Sequence, residues 1–443
     1  MSFSPLDDVL HAGLLGDPPV ATLLGGQAQI DSILEVEAAL ARIQGQLEVI
    51  PARVAADLVD ALAGLTVTPE QIAPGFARDG VAAPALVAAL RARIPADAGA
   101  WLHFGATSQD VADLGLILRL KRILVILEAR LDAVMDALAI LADAHLSTPC
   151  LARTRMQAAA PTIFGWRLAQ WLLPLQRAKE RLAELKPRLL VVQLGGATGT
   201  MSAFGPRALE LSEALAQTLG LGAAEPWHTA RDRLEELASW LAMLANALGK
   251  IGLDAMMLAQ SEIAEIRFEG AGGSSTLPQK QNPVAAETLV ALARHAALMA
   301  GGMHQANLAM NERDGVAWSL EWLCLPDLVL ATGSALERAR QVTKSLRVDE
   351  ARMRHNLDSM QGLVLAEAAT FALAEHVPRP EATSLVKKAV EMTAQQGGHL
   401  LDHLAALGDW PVEWSRVRDP LSALSTARQM AERVLARARL RAD

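Results

Sequence analysis

The stretch VADLGLILRLKRILVILEARLDAVMDALAILADAH, Val111 to His145, decides the fold. Apolar residues recur in it at spacings of three and four, and it contains no proline. That period over that length predicts one helix of about 50 Å, at ~1.5 Å per residue. Its charges, Arg119, Lys121 and Arg122, argue against a membrane span. Working outward, the same reading predicts helices over Pro161–Leu185, Thr229–Ile266, Val284–Asn311 and Val316–Leu346, with Pro326 placed to kink the last. Long alanine-rich helices bury their apolar stripes only against one another, so the expected fold is all-α around a long-helix bundle. Some are apolar around much of their circumference, which points to burial by other subunits. Breaks such as GDPP, VTPEQIAPG and LGDWP set off smaller helical regions at either end. The expected domains are 1–111, 112–360 and 361–443.

Composition supports this. The chain has 443 residues, 51% of them hydrophobic, and no tyrosine. Ala and Leu dominate while β-branched and aromatic residues are scarce, which favours helix over sheet. A net charge of −8 argues against a nucleic-acid backbone as partner. Cys150 and Cys324 are too few for a disulfide framework, and the start MSFSPLDDVL lacks the basic and apolar regions of a signal peptide. A soluble, cytoplasmic protein is expected.

Four polar islands interrupt the helices. The first is GAGGSSTLPQKQNP, Gly270 to Pro283. Asn282 suits a helix N-cap and Pro283 the first helical position, which sets the positive end of the next helix beside Ser274, Ser275 and Lys280. Glycines before them make a permissive backbone, and together these features suit a lid over a small carboxylate. A capped ordinary loop fits the spacing equally well. A phosphate-binding loop does not fit, since Gln279 rather than Gly precedes Lys280. Nor does a nucleophile elbow, which needs a glycine two residues after its serine.

The second island, HFGATSQD, His103 to Asp110, precedes the long helix. Thr107, Ser108 and Gln109 offer donors to a carboxylate, and Ser108 or Asp110 equally serves as a helix cap. A lone His103 serves structure as readily as catalysis. The third, ARTRMQAAAP, Ala152 to Pro161, carries Arg153, Arg155 and Gln157 in what reads as a link between two helices. The fourth, NERDGVAW, offers Arg313 as a carboxylate clamp. No HExxH, paired CxxC or EF-hand pattern occurs, and no dinucleotide fingerprint follows a strand, so neither a metal nor a nucleotide cofactor is expected.

Taken in order, these islands resemble the fumarase/aspartase superfamily. Its Gly-Ser-Ser-x-Met-Pro-x-Lys-x-Asn-Pro hallmark is matched from Gly273 to Pro283, with Leu277 in place of methionine. HFGATSQD is similar to the segment that binds substrate carboxylates there, and GGATGT, Gly195 to Thr200, also has a counterpart. ARTRMQ, PWHTARDRL, NERDGVAWSLEWLCLPDL and GLVLAEAATFALAEHVPRPEA resemble the bacterial branch that lactonises 3-carboxy-cis,cis-muconate in the protocatechuate route of aromatic degradation. The resemblance covers most of the chain. It implies three helical domains, a homotetramer with a shared multi-helix core, active sites drawn from more than one subunit, a polycarboxylate substrate and no cofactor. It implies Ser275 as the proton-transfer residue. It further implies carboxylate contacts from Lys280, Asn282, Thr107, Ser108 and Gln157; Lys280 is expected to be catalytic with Ser275, and His103, Arg155 and Arg313 to bind substrate with the rest.

One departure carries chemistry. Many superfamily lyases have Thr-His-x-Gln where this chain has Thr154-Arg155-Met156-Gln157. Arginine, with a pKa above about 12, is no proton donor near neutral pH. A carboxylate leaving group, with an acid pKa near ~4, needs none. Hydroxide and amine leaving groups do benefit from an acid. Arg155 therefore favours lactone chemistry over a substituted-succinate lyase of adenylosuccinate or argininosuccinate type. A non-catalytic helical scaffold is the third reading.

Overall fold

The computed structural model of the protein describes residues 4–270, 272–273 and 276–439. The long helices are Ser108–Ala144, Phe164–Leu189, Asp232–Leu258, Val284–Ala306 and Gly315–Ser345. The opening stretch is a single helix of 37 residues. Its buried side chains, including Leu114, Ile117, Leu124, Leu127, Leu131, Val134 and Leu138, keep the three-four spacing that the sequence shows. Its charges find partners. Lys121 Nζ donates to the carbonyls of Leu219 (3.3 Å) and Gly220 (2.8 Å), at the C-terminus of the Ala208–Leu219 helix. That is where a cation is favoured. Arg122 pairs with Glu35 at 2.6 Å. Pro326 lies inside a helix that continues to Ser345. Asp232–Leu258 and Val284–Ala306 are long and apolar enough to cross a membrane by length and composition, and about half of each apolar window (50% and 44%) is buried within the molecule.

The sheets are small. β1 (Pro149–Thr154) pairs antiparallel with β2 (Gln157–Ile163), and β3 (Ile266–Phe268) with β4 (Leu346–Val348). The helix expected from Pro161 starts at Phe164 instead. Pro161 belongs to β2, opposite Leu151, so the supposed link between helices is a hairpin. Its two turn residues, Arg155 (φ 51) and Met156 (φ 69), are both left-handed. A two-residue turn of this kind usually carries Asn-Gly, and the absence of that signal is why the hairpin is not legible in the sequence.

The chain forms two compact units. The first comprises Met1–Leu131, Ala178–Gly249 and Ala291–Glu337; the second comprises Asp132–Arg177, Lys250–Val290 and Arg338–Asp443. In the first, the Gly26–Gln46 helix packs on Ala52–Ala63. Ile30, Ile33, Leu40, Leu58, Leu86 and Leu114 fill the core between elements, each at most 1% exposed. Burial of each such side chain stabilises the fold by roughly 1.5–3 kcal/mol. In the second, Leu151 of β1 joins Leu357, Val386, Leu400 and Leu404 in a core that anchors the hairpin to the C-terminal helices.

Candidate active site

In the first unit, one carboxylate organises the site. Ser108 opens the long helix, so Thr107 is its N-cap and Asp110 its third residue. Asp110 Oδ2 accepts from Thr107 N at 3.0 Å, the reach-back half of a capping box. The same carboxylate accepts from Gly195 N (2.8 Å) and Gly196 N (2.9 Å), and pairs with His228 Nε2 at 2.8 Å. Asp110 is fully buried. Three stretches far apart in sequence, HFGATSQD, GGATGT and PWHTARD, thus meet on one side chain. Gln109 Nε2 reinforces the junction by donating to His228 O at 2.8 Å.

Two further ion clusters support that junction. Arg231 is buried and bonds both Asp113 (2.6 and 3.0 Å) and Glu321 (2.7 and 2.6 Å), with its guanidinium 4.9 Å from the Trp227 ring centroid. Burial acts to lower the Arg231 pKa, but Asp113 and Glu321 outweigh it and hold the residue charged. The cluster holds two carboxyls and one cation, and burial pushes the Glu321 carboxyl up against the pull of Arg231. His103, left-handed at φ 63, pairs through Nδ1 with the buried Glu37 at 2.5 Å. Burial works to lower the His103 pKa, and Glu37, by hydrogen bond and charge, raises it overall. Arg313 is exposed, and its Nη2 donates to Ala197 O at 2.9 Å, on the loop that Asp110 holds.

In the second unit, Arg155, Met156 and Gln157 sit exposed at the tip of the β1–β2 hairpin. Arg153 is not available in the same way. It grips the buried Glu265 with two bonds, 2.7 and 3.2 Å, while Asn356 bonds that carboxylate at 3.0 Å and Arg167 lies 3.7 Å away. Glu265 precedes β3, so this cluster ties the hairpin to the stem of the glycine-rich loop. A cavity of about 630 Å³ lies behind the turn, lined by Arg153, Met156, Trp166, Arg167, Lys250 and Asp254 among others. At the neck of the loop, Gly272 and Asn282 exchange backbone bonds of 3.2 and 2.8 Å. That pairing removes Asn282 from the N-cap role expected of it. The helix starts at Val284, and Pro283 O accepts from Ala286 N (2.9 Å) and Glu287 N (3.0 Å). Lys280 is exposed on the loop, its N–H bonded to Leu277 O at 3.0 Å. Ser275 lies outside the described residues.

The expected site residues therefore fall in two groups. His103, Thr107, Ser108 and Arg313 belong to the first unit, and Arg155, Gln157, Lys280 and Asn282 to the second. Sequence reading passed over Asp110 as more than a cap, and over His228, Arg231 and Glu265. Nothing local marks a residue whose partners lie 85 or more positions away, as those of Asp110 do at Gly195 and His228.

The lyase family model matches residues 28–298, and the chain belongs to that family, within the fumarase/aspartase superfamily. It is 39% identical to the 3-carboxy-cis,cis-muconate cycloisomerase of Pseudomonas aeruginosa, over 98% of this chain and 97% of that one. The solved 3-carboxy-cis,cis-muconate lactonizing enzyme of Pseudomonas putida superposes with a TM-score of 0.91 at 37% identity, covering 98% and 99% of the two chains. A solved fumarate lyase from Mesorhizobium sp. BNC1 gives 0.88 at 33% identity, covering 95% and 98%.

Proposed function

We propose that the protein is a cycloisomerase that closes 3-carboxy-cis,cis-muconate to 4-carboxymuconolactone in the protocatechuate branch of aromatic degradation. The observation that carries this reading is the end-to-end likeness to cycloisomerases of that name, at 39% identity over 98% of the chain. A carboxylate oxygen of the substrate adds to a double bond conjugated with another carboxylate. Charge gathers on the receiving carboxylate as an enolate. Lys280, Asn282 and loop N–H groups stabilise that charge, the largest expected catalytic contribution. Ser275 delivers the proton to carbon and, in reverse, removes it. Thr107, Ser108 and Gln157 hold the remaining carboxylates with His103 and Arg313. Arg155 holds the attacking one, where a leaving-group acid is not required.

The functional assembly is a homotetramer whose active sites are completed by neighbouring subunits, and it works in the cytoplasm without a cofactor. Large apolar side chains left exposed on the long helices support the assembly: Val125 (63%), Ile140 (71%), Leu298 (70%) and Leu323 (72%). The exposure of Lys280, Arg155 and Gln157 in a single chain supports completion by a partner.

The likeness to a fumarate lyase favours a second reading, elimination from a substituted succinate. Incubating the purified protein with 3-carboxy-cis,cis-muconate and a panel of substituted succinates decides between them. Loss of the diene's ultraviolet absorbance is expected, with no turnover of the succinates; the opposite pattern would replace the first reading with the second. Ser275→Ala is expected to lower kcat by several orders of magnitude with its melting temperature kept, and near-wild-type rates would remove Ser275 from the mechanism.

A further inference from the structure

His228 is almost wholly buried, its side chain 4% exposed, yet it is only half engaged. Both oxygens of Asp110 accept backbone N–H bonds, so in the Asp110 pair the ring nitrogen Nε2 is the donor. Nδ1 has no hydrogen-bond partner among the described residues. Nδ1 is not among the fully enclosed unpartnered atoms, so this one edge of an otherwise buried ring is reachable from outside.

The loop Gly195–Thr200 is shaped around this ring. A Cβ on Gly195 would stand 2.7 Å from His228 Cε1, closer than packing allows. At Gly199, left-handed at φ 78, the Cβ position would lie 3.9 Å from Nδ1, so the missing side chain leaves that edge uncovered. On the same loop Arg313 Nη2 bonds Ala197 O, and the other guanidinium nitrogens have no partner among the described residues. The hydroxyls of Thr107 and Ser108 sit at the start of the helix whose third residue is Asp110. The Arg313 guanidinium and the Thr107 and Ser108 hydroxyls can each donate to an anion. The one nearby anion, Asp110, is already matched by four donors and offers nothing further to a ligand.

We propose that His228 is a substrate-binding residue of this site, an imidazolium held between two carboxylates that donates Nε2–H to Asp110 and Nδ1–H to a substrate carboxylate, and that Asp110 is the positioning residue that fixes the ring for it. The proposal rests on the polycarboxylate reading given under Proposed function, and identifies one further contact for that substrate.

Two substitutions separate substrate contact from structural tie. The amide nitrogen of glutamine takes the place of Nε2, and that of asparagine the place of Nδ1. His228→Gln keeps the Asp110 bond and loses the Nδ1 donor. It is expected to melt near wild type, keep kcat within about threefold and raise KM by about tenfold or more, as for a lost hydrogen bond to a charged group. His228→Asn keeps a donor at Nδ1 and loses the Asp110 tie. It is expected to melt lower, with KM closer to wild type than the glutamine variant. The reverse order, a wild-type KM with glutamine and a raised one with asparagine, would show that His228 only holds Asp110 and would overturn the proposal. Should either variant fail to fold, a crystal structure of the wild-type protein with propane-1,2,3-tricarboxylate decides: a carboxylate oxygen about 3 Å from Nδ1 is expected, and carboxylates all more than about 5 Å away would overturn it. A wild-type protein inert towards the muconate would defeat the cycloisomerase reading alone, and binding of the same tricarboxylate to the two variants would still test His228.

Discussion

Arg231→Met tests the electrostatic reasoning most sharply. Arg231, Asp113 and Glu321 are each at most 3% exposed, and four bonds of 2.6–3.0 Å join them. At an effective dielectric constant of ~20, each charge pair at ~4 Å is worth about 4 kcal/mol before desolvation is counted. Removing the cation leaves two carboxyls buried and facing one another. The net loss for breaking such a cluster from one side is about 3–5 kcal/mol. With an unfolding entropy of about 2.1 cal/mol/K per residue, the 443 residues give about 0.9 kcal/mol/K, so the melting temperature should fall by about 3–5 °C. The loss should depend on pH with a defined sign. Burial already raises the Glu321 pKa in the native protein, and losing Arg231 removes the influence that opposes it. A carboxyl raised on folding favours the folded state when protonated, so stability returns as pH falls through its folded pKa. Scanning calorimetry at pH 5 and pH 7.5, at one protein concentration, reads both effects. The fall should be smaller at pH 5, and adding Asp113→Asn with Glu321→Gln should recover most of it. A melting temperature unchanged at both pH values, or an equal fall at both, would refute the account of this cluster.

Other expectations follow from the same structure. Glu37→Gln removes the partner that raises the His103 pKa. That contribution is fully present below the unfolded histidine pKa of ~6.5 and is lost as pH rises through the raised folded value. Melting curves of the variant and wild type should therefore differ more at pH 5.5 than at pH 9, and a constant gap would refute the pairing. Met156→Gly relieves a left-handed residue in the hairpin turn. It should stabilise the protein by about 1 kcal/mol, near a 1 °C rise in melting temperature. A drop would mean that Met156 packing in the cavity behind the turn outweighs the backbone relief.

The long helices were legible because periodicity is local. Leu114 to Leu138 repeats on one face whatever the rest of the chain does, and an apolar stripe of that length admits only burial against other helices. The motif GSSTLPQKQNP, with HFGATSQD ahead of it, was enough to place the chain in its superfamily. The hairpin escaped notice because Arg155 and Met156 take a turn conformation that their residue types do not advertise. Asn282 looked like a helix cap from its neighbours, and pairing with Gly272 ten residues back overrode that preference. Taken alone, then, the sequence determined the helical class, the superfamily and the kinds of side chain available for carboxylate chemistry. Only the tertiary structure decided which of them are spent on the fold and which remain free: Arg153 is held by Glu265, while among the described residues His228 keeps one nitrogen open. The physical reason is that a hydrogen bond or ion pair depends on distance in space, and the partners of Asp110, Arg153 and His228 are separated from them by about a hundred residues of chain.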